Sequence, residues 1–367
     1  MAKIYDIQKN EREKCIVIVV CNSNGDDKER KLDEIEKLAK TTELEVVESF
    51  AQNVKEFNKA TVIGSGKLEE IKDYIDNSDE EISLAVVDYA LTGSQARNIS
   101  DAIGMRVVDR VGLIIDIFAM HAQSAEAKLQ VKFAQDRYLM PRLGDVKNSS
   151  GRYGGSGVGM RGPGETKLEL DRRKLEKEMD FLKKEIAKVK EKRNVNRRER
   201  EKSGIKRIAI VGYTNAGKST LLNALTRENI YAEDKYFATL DTTSRKIYLG
   251  DNKTAIITDT VGFISELPHE LVDAFSSTLE EARDADLILH VVDPNKTEKN
   301  QSYYEKNIEV TNKVLDDIGS TCPRLLIYNK CDILENREEI KQDGIFVSAK
   351  KKIGLEELKQ KIFEMLY

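Results

Sequence analysis

The sequence has few of the residues that build metal centres, disulfide frameworks and membrane spans. Its 367 residues include four cysteines and three histidines, and neither type shows the spacing of paired metal ligands. We therefore interpret the cysteines as reduced thiols of a cytosolic protein. The longest apolar runs, such as Ile16 to Val20, have the length of a strand and fall far short of a membrane span. The charged segment 1–15 does not match a signal peptide.

No charge of one sign dominates the chain either. Lysine and arginine number 60 against 64 aspartates and glutamates, which leaves a net charge of −4. Any surface that binds nucleic acid must therefore be a basic patch confined to part of the protein. The composition does not indicate DNA as a partner. The hydrophobic fraction of 40% is sufficient for real cores, and the length fits two or three domains.

Two regions alternate short β-branched runs with helical stretches, which predicts an α/β fold with mostly parallel sheets. In the first region, residues 15–118, strands are predicted at CIVIVVC, LEVVESF, ATVIG, ISLAVVD and MRVVDR, with helices at Glu29–Lys40 and Leu68–Ile75. In the second, after Gly204, strands are predicted at KRIAIVGY, KTAIITDT, DLILHVVD, RLLIYNK and GIFVSAK. A terminal amphipathic helix is predicted at Leu355–Leu366.

Two long helices are predicted between these regions. The first runs from about Ser124 to Leu139 and is stopped by Pro141, and the second runs from about Leu168 to Arg200. The second helix carries a heptad seam of apolar residues, which are Leu168, Leu175, Met179, Leu182, Ile186 and Val189. A seam needs a partner, so we expect the first helix to fold back against it as an antiparallel hairpin in a monomer. A homodimeric coiled coil is the alternative.

The segment between the two helices, SSGRYGGSGVGMRGPGET, combines glycine with Arg152 and Arg161. Seven of the fourteen residues from 151 to 164 are glycine. The composition fits a flexible linker and equally a basic loop that becomes ordered on a phosphate surface such as RNA. The end of the second helix, residues 188–202, carries eight lysines and arginines and three glutamates. It is either a solvated face or a contact to a phosphate backbone.

A phosphate-binding loop of the pattern GxxxxGK[ST], here called the P-loop, follows the first predicted strand of the second region. It comprises Gly212, Tyr213, Thr214, Asn215, Ala216, Gly217, Lys218 and Ser219, with Thr220 next in the following helix. Glycines allow backbone N–H groups to curl around phosphates. We expect the Lys218 ammonium to reach the β- and γ-phosphates and the Ser219 hydroxyl to ligate Mg²⁺.

The first companion of the P-loop is the segment DTVG, which comprises Asp259, Thr260, Val261 and Gly262. A carboxylate at a strand end can hold Mg²⁺ through water, and the Gly262 N–H can meet the γ-phosphate. DxxG alone is usually a plain turn. Its offset of about forty residues from the P-loop favours the functional interpretation here.

Two further companions address the nucleotide base. They are NKCD, which comprises Asn329, Lys330, Cys331 and Asp332, and VSAK, which comprises Val347, Ser348, Ala349 and Lys350. One carboxylate, that of Asp332, can accept two hydrogen bonds from the N1–H and N2–H₂ groups of guanine, which adenine does not offer. The VSAK backbone is predicted to meet the base O6. The motifs occur in order at the carboxyl ends of strands, where α/β sheets bind ligands, so we predict an enzyme that hydrolyses GTP to GDP.

A switch threonine that ligates Mg²⁺ is expected between the P-loop and DTVG. The candidate segment comprises Phe237, Ala238, Thr239, Leu240 and Asp241. Thr239 is our choice, and Thr242 and Thr243 are competitors that the spacing leaves open.

The residue after DTVG is Phe263, where many GTPases carry a glutamine that orients water. Phenylalanine cannot form that hydrogen bond, so we expect Asn215 to help hold a monovalent cation, K⁺, beside the phosphates. The alternative is an asparagine that merely satisfies the loop backbone. The predicted catalytic set is therefore Lys218, Asn215, Thr239 and Gly262.

Beyond these motifs, the chain resembles the HflX family of ribosome-associated GTPases. The resemblance covers nearly the whole chain and rests on IGSGKLEEI (63–71), SQARNI (94–99), VVDRVGLIIDIFA (107–119), KLQVKFAQDRYLMPRL (128–143), GPGETKLELDRR (162–173), FATLD (237–241), DTVGFISELPHELVDAF (259–275) and HVVDP (290–294). It implies an N-terminal α/β subdomain at 1–118, a helical hairpin at 119–203 and a GTPase domain at 204–367. The further C-terminal domain of many members is expected to be missing. The resemblance also supports Thr239 as the magnesium threonine.

The resemblance further implies a partner, the large ribosomal subunit, with the glycine-rich loop facing ribosomal RNA in the cytoplasm. The residues it implies for this contact are Arg152, Arg161, Gly162, Gly164, Arg172 and Arg173. In the family this is tied to splitting or rescuing stalled ribosomes, often under stress. Two alternatives remain: a module that binds the ribosome sterically with incidental hydrolysis, and a stress GTPase with a non-ribosomal protein target.

Overall fold

The computed structural model describes residues 12–22, 28–143, 167–202, 204–226, 237, 243–264, 276–294, 302–334, 340 and 343–367. The chain divides into two compact units. The first comprises residues 1–120 and 128–186, and the second comprises residues 121–127 and 187–367. None of the helices within the described ranges is long and apolar enough to cross a membrane.

A parallel four-stranded sheet forms the centre of the first unit. Its strands, in spatial order, are β2 (Glu45–Val54), β1 (Lys14–Asn22), β3 (Ile82–Val87) and β4 (Arg106–Asp109). The helices that follow these strands are α1 (Lys28–Thr41), α2 (Ser65–Asn77), α3 (Gly93–Ile103) and α4 (Arg110–His121). The β-branched run of β1 is buried along its length, because a parallel sheet is covered on both faces. The predicted alternation is confirmed.

One predicted strand is absent from this sheet. The run ATVIG does not form a strand, because Asn58 and Val62 exchange two backbone hydrogen bonds (3.3 and 2.7 Å) that close a turn. Val62 has φ 63°, outside the strand region. Val62 and Ile63 are nevertheless fully buried against α2 and α3. Their hydrophobicity reflects burial in the core, which a short apolar run cannot distinguish from strand pairing.

The two long helices pair as expected. They are α5 (Ala125–Leu143) and α6 (Lys167–Lys202). In the seam of α6, Met179 and Leu182 are buried, and Leu175, Ile186 and Val189 are half-buried; the Leu168 side chain lies outside the described residues. The helices contact each other through Lys132 and Glu178, whose charged atoms are 3.4 Å apart.

The prediction that Pro141 ends the first helix is wrong, since α5 continues to Leu143. The Arg142 guanidinium holds this last turn in place. It donates hydrogen bonds to the carbonyl oxygens of Tyr138 (2.9 Å) and Leu91 (2.7 Å) and to Oδ2 of Asp109 (2.8 Å). These tertiary contacts outweigh the single backbone hydrogen bond that proline removes.

A six-stranded sheet forms the centre of the second unit. Its strands, in spatial order, are β10 (Ile345–Phe346), β9 (Arg324–Tyr328), β8 (Leu287–Val292), β5 (Lys206–Gly212), β7 (Lys253–Asp259) and β6 (Thr243–Gly250). The helices are α7 (Lys218–Thr226), α8 (Ser276–Arg283), α9 (Ser302–Asp317) and α10 (Leu355–Leu366). All pairings are parallel except that of β6 with β7. The second predicted α/β region and its terminal helix are confirmed.

Strand β6 is an addition that sequence reasoning missed. It lies at the sheet edge, where Ile247 and Leu249 are buried while Lys246 and Tyr248 are exposed. This alternation with a period of two is the signal of a half-buried strand. It was overlooked because the run TSRKIYLG is far more polar than the central strands.

Candidate nucleotide-binding site

The P-loop begins at the end of β5 and continues into α7, and its backbone requires glycine at two positions. Gly212 has φ 151° and Gly217 has φ 88°, conformations that side chains with a Cβ rarely adopt. A Cβ on Gly212 would lie 2.1 Å from the Val291 carbonyl oxygen, and one on Gly217 would lie 2.3 Å from Nδ2 of Asn329. At these two positions the loop therefore packs too closely on its neighbours for any residue larger than glycine.

The Lys218 ammonium is a buried cation of the P-loop. The side chain is 7% exposed, and its ammonium donates a hydrogen bond to the Tyr213 carbonyl oxygen (3.0 Å). Burial lowers the pKa of Lys218 to about 8, although the Asp259 carboxylate opposes the shift. A bound phosphate would favour the charged form. The buried Thr214 hydroxyl, one loop residue away from Tyr213, makes no hydrogen bond to the residues that the structure describes.

The DTVG segment lies directly against the P-loop. The Phe263 N–H donates to the Gly212 carbonyl oxygen (3.0 Å), and the Thr214 N–H donates to the Phe263 carbonyl oxygen (2.8 Å). A Cβ on Gly262 would lie 2.8 Å from both the Lys218 ammonium and Cγ2 of Thr214. Only glycine fits, so the Gly262 N–H stays beside the lysine predicted to hold the phosphates.

Ser219 and Asp259 supply a pair of oxygen atoms suited to Mg²⁺. The Ser219 hydroxyl donates to Oδ2 of Asp259 at 2.5 Å. Within the described residues no group of three or more His, Cys, Asp or Glu side chains could hold a metal ion. Mg²⁺ is commonly bound by one or two protein oxygens together with substrate phosphates and water, so this sparse donor set fits that ion.

Asn329 joins the loop of residues 329–332, here called the base loop, to two neighbours. Its buried amide donates to the Ala216 carbonyl oxygen (2.9 Å) and accepts from the Ala349 N–H (3.1 Å). The Cys331 N–H donates to the Val347 carbonyl oxygen (3.1 Å). The P-loop, the base loop and the VSAK segment are thus brought together, although more than a hundred residues separate the first two.

Asp332 is exposed on this surface, where a ligand can reach it. A hydrogen bond from the Ser348 hydroxyl lowers the pKa of Asp332. Ser348 itself is held by an N–H from Lys351 to its hydroxyl (3.1 Å). The carboxylate is therefore ionised at neutral pH and can act as a double acceptor.

Phe263 is buried in the core of the second unit. Its side chain is 2% exposed and packs in a core cluster with Val211, Leu279 and Ile288. A polar side chain here would be buried without partners. The position after DTVG therefore contributes to packing and offers no group to orient water.

Asn215 occupies a left-handed conformation in the P-loop, with φ 62°. Asparagine tolerates this region better than most residues, which gives one reason for its presence. Its backbone carbonyl accepts a hydrogen bond from Lys330 (3.0 Å). Whether the side-chain amide holds a cation or supports the loop backbone stays a prediction.

Some of the predicted residues lie outside the described residues, and others belong to the first unit. Outside them are Ala238, Thr239, Leu240, Asp241, Arg152, Arg161, Gly162 and Gly164. Phe237 is buried with φ 54°. Arg172 and Arg173 lie on α6 in the first unit, where Arg172 is exposed and pairs with Glu176 at 3.2 Å.

Sequence reasoning missed Asp293, which directly follows β8. Its Oδ2 lies 2.8 Å from the Lys330 ammonium. The available signal was a carboxylate at the carboxyl end of a central strand, the same signal that identified Asp259.

Comparison with known proteins agrees with this geometry over most of the chain. Residues 29–119 match the family model described as GTP-binding GTPase N-terminal, residues 121–200 match GTP-binding GTPase Middle Region, and residues 207–330 match 50S ribosome-binding GTPase. The crystal structure of the SsGBP and GDP complex is 26% identical with a TM-score of 0.50, covering 96% of this chain and 98% of that one. The fold and the site define a P-loop GTPase, an enzyme that hydrolyses GTP.

Two relatives define the family more narrowly. GTPase HflX of Caldanaerobacter subterraneus subsp. tengcongensis is 46% identical over 358 residues, which cover 97% of this chain and 81% of the relative. GTPase HflX of Escherichia coli strain K12 is 39% identical over 343 residues, which cover 91% and 79%. The chain belongs to the GTPase HflX family.

Proposed function

We propose that this GTPase acts on the large ribosomal subunit, where it splits or rescues stalled ribosomes and uses GTP hydrolysis to control its departure. Residues 1–118 and 119–203 would form the part that faces the ribosome, and residues 204–367 the GTPase domain. The family description of residues 207–330 as a 50S ribosome-binding GTPase supports the partner. The observation that carries the proposal is an exposed basic stripe on α6.

This α6 stripe comprises Leu170, Lys174, Lys177, Phe181 and Lys184, all exposed and spaced by four, three, four and three residues. Residues at these spacings share one helix face. Leu170 and Phe181 are 44% and 59% exposed, unusually high for large apolar side chains. Lysines that alternate with an exposed aromatic ring suit a phosphate backbone with unstacked bases. Ribosomal RNA offers both.

The P-loop would hold the phosphates of the nucleotide. Asp332 and the VSAK backbone would form hydrogen bonds to the guanine base. We assign Lys218 to the β- and γ-phosphates, and Ser219, Thr239 and, through water, Asp259 to Mg²⁺. The metal would neutralise charge that develops on the phosphates. The Gly262 N–H, fixed against the P-loop, would sense the γ-phosphate.

A set of ion pairs favours a switch over incidental hydrolysis. Glu280 on α8 pairs with Lys190 (2.6 Å) and Arg193 (2.7 Å) of α6, and Arg193 also pairs with Glu126 of α5 (3.1 Å). Glu280 and Arg193 are only 14% and 25% exposed, so water screens these charges less than those of surface pairs. Helix α8 follows the DTVG segment in the chain. We propose that a change at the γ-phosphate reaches α6 through α8 and these ion pairs.

The test uses the full-length chain with Lys174, Lys177 and Lys184 all changed to glutamine. We expect affinity for the large subunit in co-sedimentation to fall at least about tenfold, with a shallower salt dependence because fewer counterions are released. Lys40→Gln, Lys59→Gln and Lys72→Gln together provide the matched control, since these exposed lysines lie elsewhere in the same unit. If the stripe variant binds as tightly as the control, RNA contact through this face is wrong. If the unaltered protein does not co-sediment, the ribosomal partner itself is wrong.

A second prediction concerns the group that replaces the missing glutamine. Because Phe263 is buried, we propose that the Asn215 amide helps hold K⁺ beside the transferred phosphate. Hydrolysis should then be faster in potassium than in sodium at equal ionic strength. One well-placed charge contributes on the order of 10³-fold in related systems.

The variant that tests this assignment is Asn215→Gly. Glycine adopts the left-handed conformation of this position without strain, so the change removes the amide and leaves the loop in place. Asn215→Ala would confound the two effects, because its Cβ is disfavoured at φ 62°. Asn215→Gly should abolish the preference for potassium. Equal rates in sodium and potassium for the unaltered protein, free and ribosome-bound, would exclude the cation and assign the missing group to the ribosome.

A further inference from the structure

The ends of three adjacent strands are connected through one side chain. Strands β5, β8 and β9 are neighbours in the sheet, and they lead to Asn215, Asp293 and Lys330. The Lys330 ammonium lies 2.8 Å from Oδ2 of Asp293 and donates to the Asn215 carbonyl oxygen at 3.0 Å. One cation therefore spans the base loop, the end of β8 and the P-loop.

The backbone at both ends of this bridge is in an uncommon conformation. Lys330 has φ 61° and Asn215 has φ 62°, and non-glycine residues persist in this region only where their surroundings hold them. The bridge supplies such a restraint. Together with the hydrogen bond from Asn329 to the Ala216 carbonyl oxygen, it ties the base loop to the P-loop.

Lys330 does not hold this position by itself. Its side chain is 30% exposed, and a lysine stem is long and flexible with a strongly hydrated head. Water competes for the ammonium unless a fixed anion retains it. Asp293 is 28% exposed and follows the central strand β8 without an intervening loop, so its carboxylate is anchored on the rigid part of the sheet.

We propose that Asp293 is a positioning residue for guanine nucleotide. It does not touch the nucleotide. It retains the Lys330 ammonium on the Asn215 carbonyl, and so keeps the base loop and the P-loop at the separation that a nucleoside diphosphate spans. This inference rests on the nucleotide site proposed above.

The test is a double-mutant cycle on the dissociation rate of a fluorescent GDP from the full-length chain. Asp293→Asn keeps the shape of the side chain and removes its charge, and we expect dissociation to be about tenfold faster. Lys330→Met should also accelerate dissociation. In the double variant Asp293→Asn should add nothing to Lys330→Met, because residues that act through one contact are not additive.

Controls separate positioning from general stability. Asp316→Asn removes another ion-paired carboxylate, which contacts Arg324 at 2.5 Å in the same unit, and it should leave GDP dissociation unchanged. Asp293→Glu retains the charge and should give an intermediate rate, and it serves as the test variant if Asp293→Asn does not fold. Unchanged dissociation in Asp293→Asn, or full additivity with Lys330→Met, would overturn the inference. Asp332→Asn in the same assay tests the nucleotide site independently: if it has no effect, the proposed site fails together with this inference.

Discussion

Replacing Lys218 by alanine is expected to reduce GTP hydrolysis by at least about 10³-fold, the largest effect of any single change considered for this protein. The ammonium is buried between the P-loop and DTVG, 3.0 Å from the Tyr213 carbonyl oxygen. A charge in such a site acts with little screening on phosphates that become more negative during transfer. With alanine at this position, the negative charge that develops on the phosphates is no longer compensated by the ammonium.

Loss of activity in this variant should not reflect unfolding. Burial lowers the pKa of Lys218 to about 8 in the protein without ligand, which means that the folded state bears a cost for keeping this ammonium. Removing it should leave the thermal unfolding midpoint unchanged or raised. The same shift predicts that GTP affinity falls as pH rises through about 8, because the lysine must take up a proton to bind phosphate. Lys218→Ala should lose that component of the pH dependence.

Lys246→Ala is the matched control, because Lys246 is an exposed lysine on the edge strand of the same sheet. Single-turnover hydrolysis and the unfolding midpoint are the two measurements. Ser219→Ala should also lose hydrolysis, since it removes the partner of Asp259 and a proposed Mg²⁺ ligand. Turnover of Lys218→Ala within a few-fold of the unaltered protein would refute the role given to the P-loop.

The second large effect is expected at Asp332. Asp332→Asn replaces a double acceptor by one acceptor and one donor, so a donor now faces a donor of guanine. A site built around such hydrogen bonds discriminates strongly when they are lost, and we expect GTP affinity to fall at least about 10²-fold. Xanthine carries an oxygen where guanine has its amino group, so the affinity for xanthosine triphosphate should rise relative to the affinity for GTP.

The structure makes this change specific to the base. Asp332 is exposed and accepts a hydrogen bond from the Ser348 hydroxyl, which an asparagine can also accept. Asp343→Asn alters another exposed carboxylate of the same unit and serves as the control. Equilibrium titration with both nucleotides is the measurement. Unchanged affinity for GTP would show that the NKCD motif does not read the base.

Much of the fold was predictable because its signals are local. The central strands are short β-branched runs, and the P-loop, DTVG, NKCD and VSAK each follow such a run, at the strand ends where α/β sheets bind ligands. The seam of α6 and the terminal helix were likewise readable from periodicity. The errors arose where tertiary contacts overrode a local preference. Arg142 extends α5 beyond Pro141, and Val62 is buried without belonging to a strand.

The sequence by itself therefore determined the class of enzyme and the order of its motifs, because each motif is a contiguous segment whose residue types carry the chemistry. Only the tertiary structure decided how those segments act together. The bridge from Asp293 through Lys330 to Asn215 joins strand ends that are far apart in the chain. The burial of Phe263 and the exposure of Leu170 and Phe181 on α6 also depend on which surfaces are covered. Such relations arise from packing between distant segments, and no local pattern encodes them.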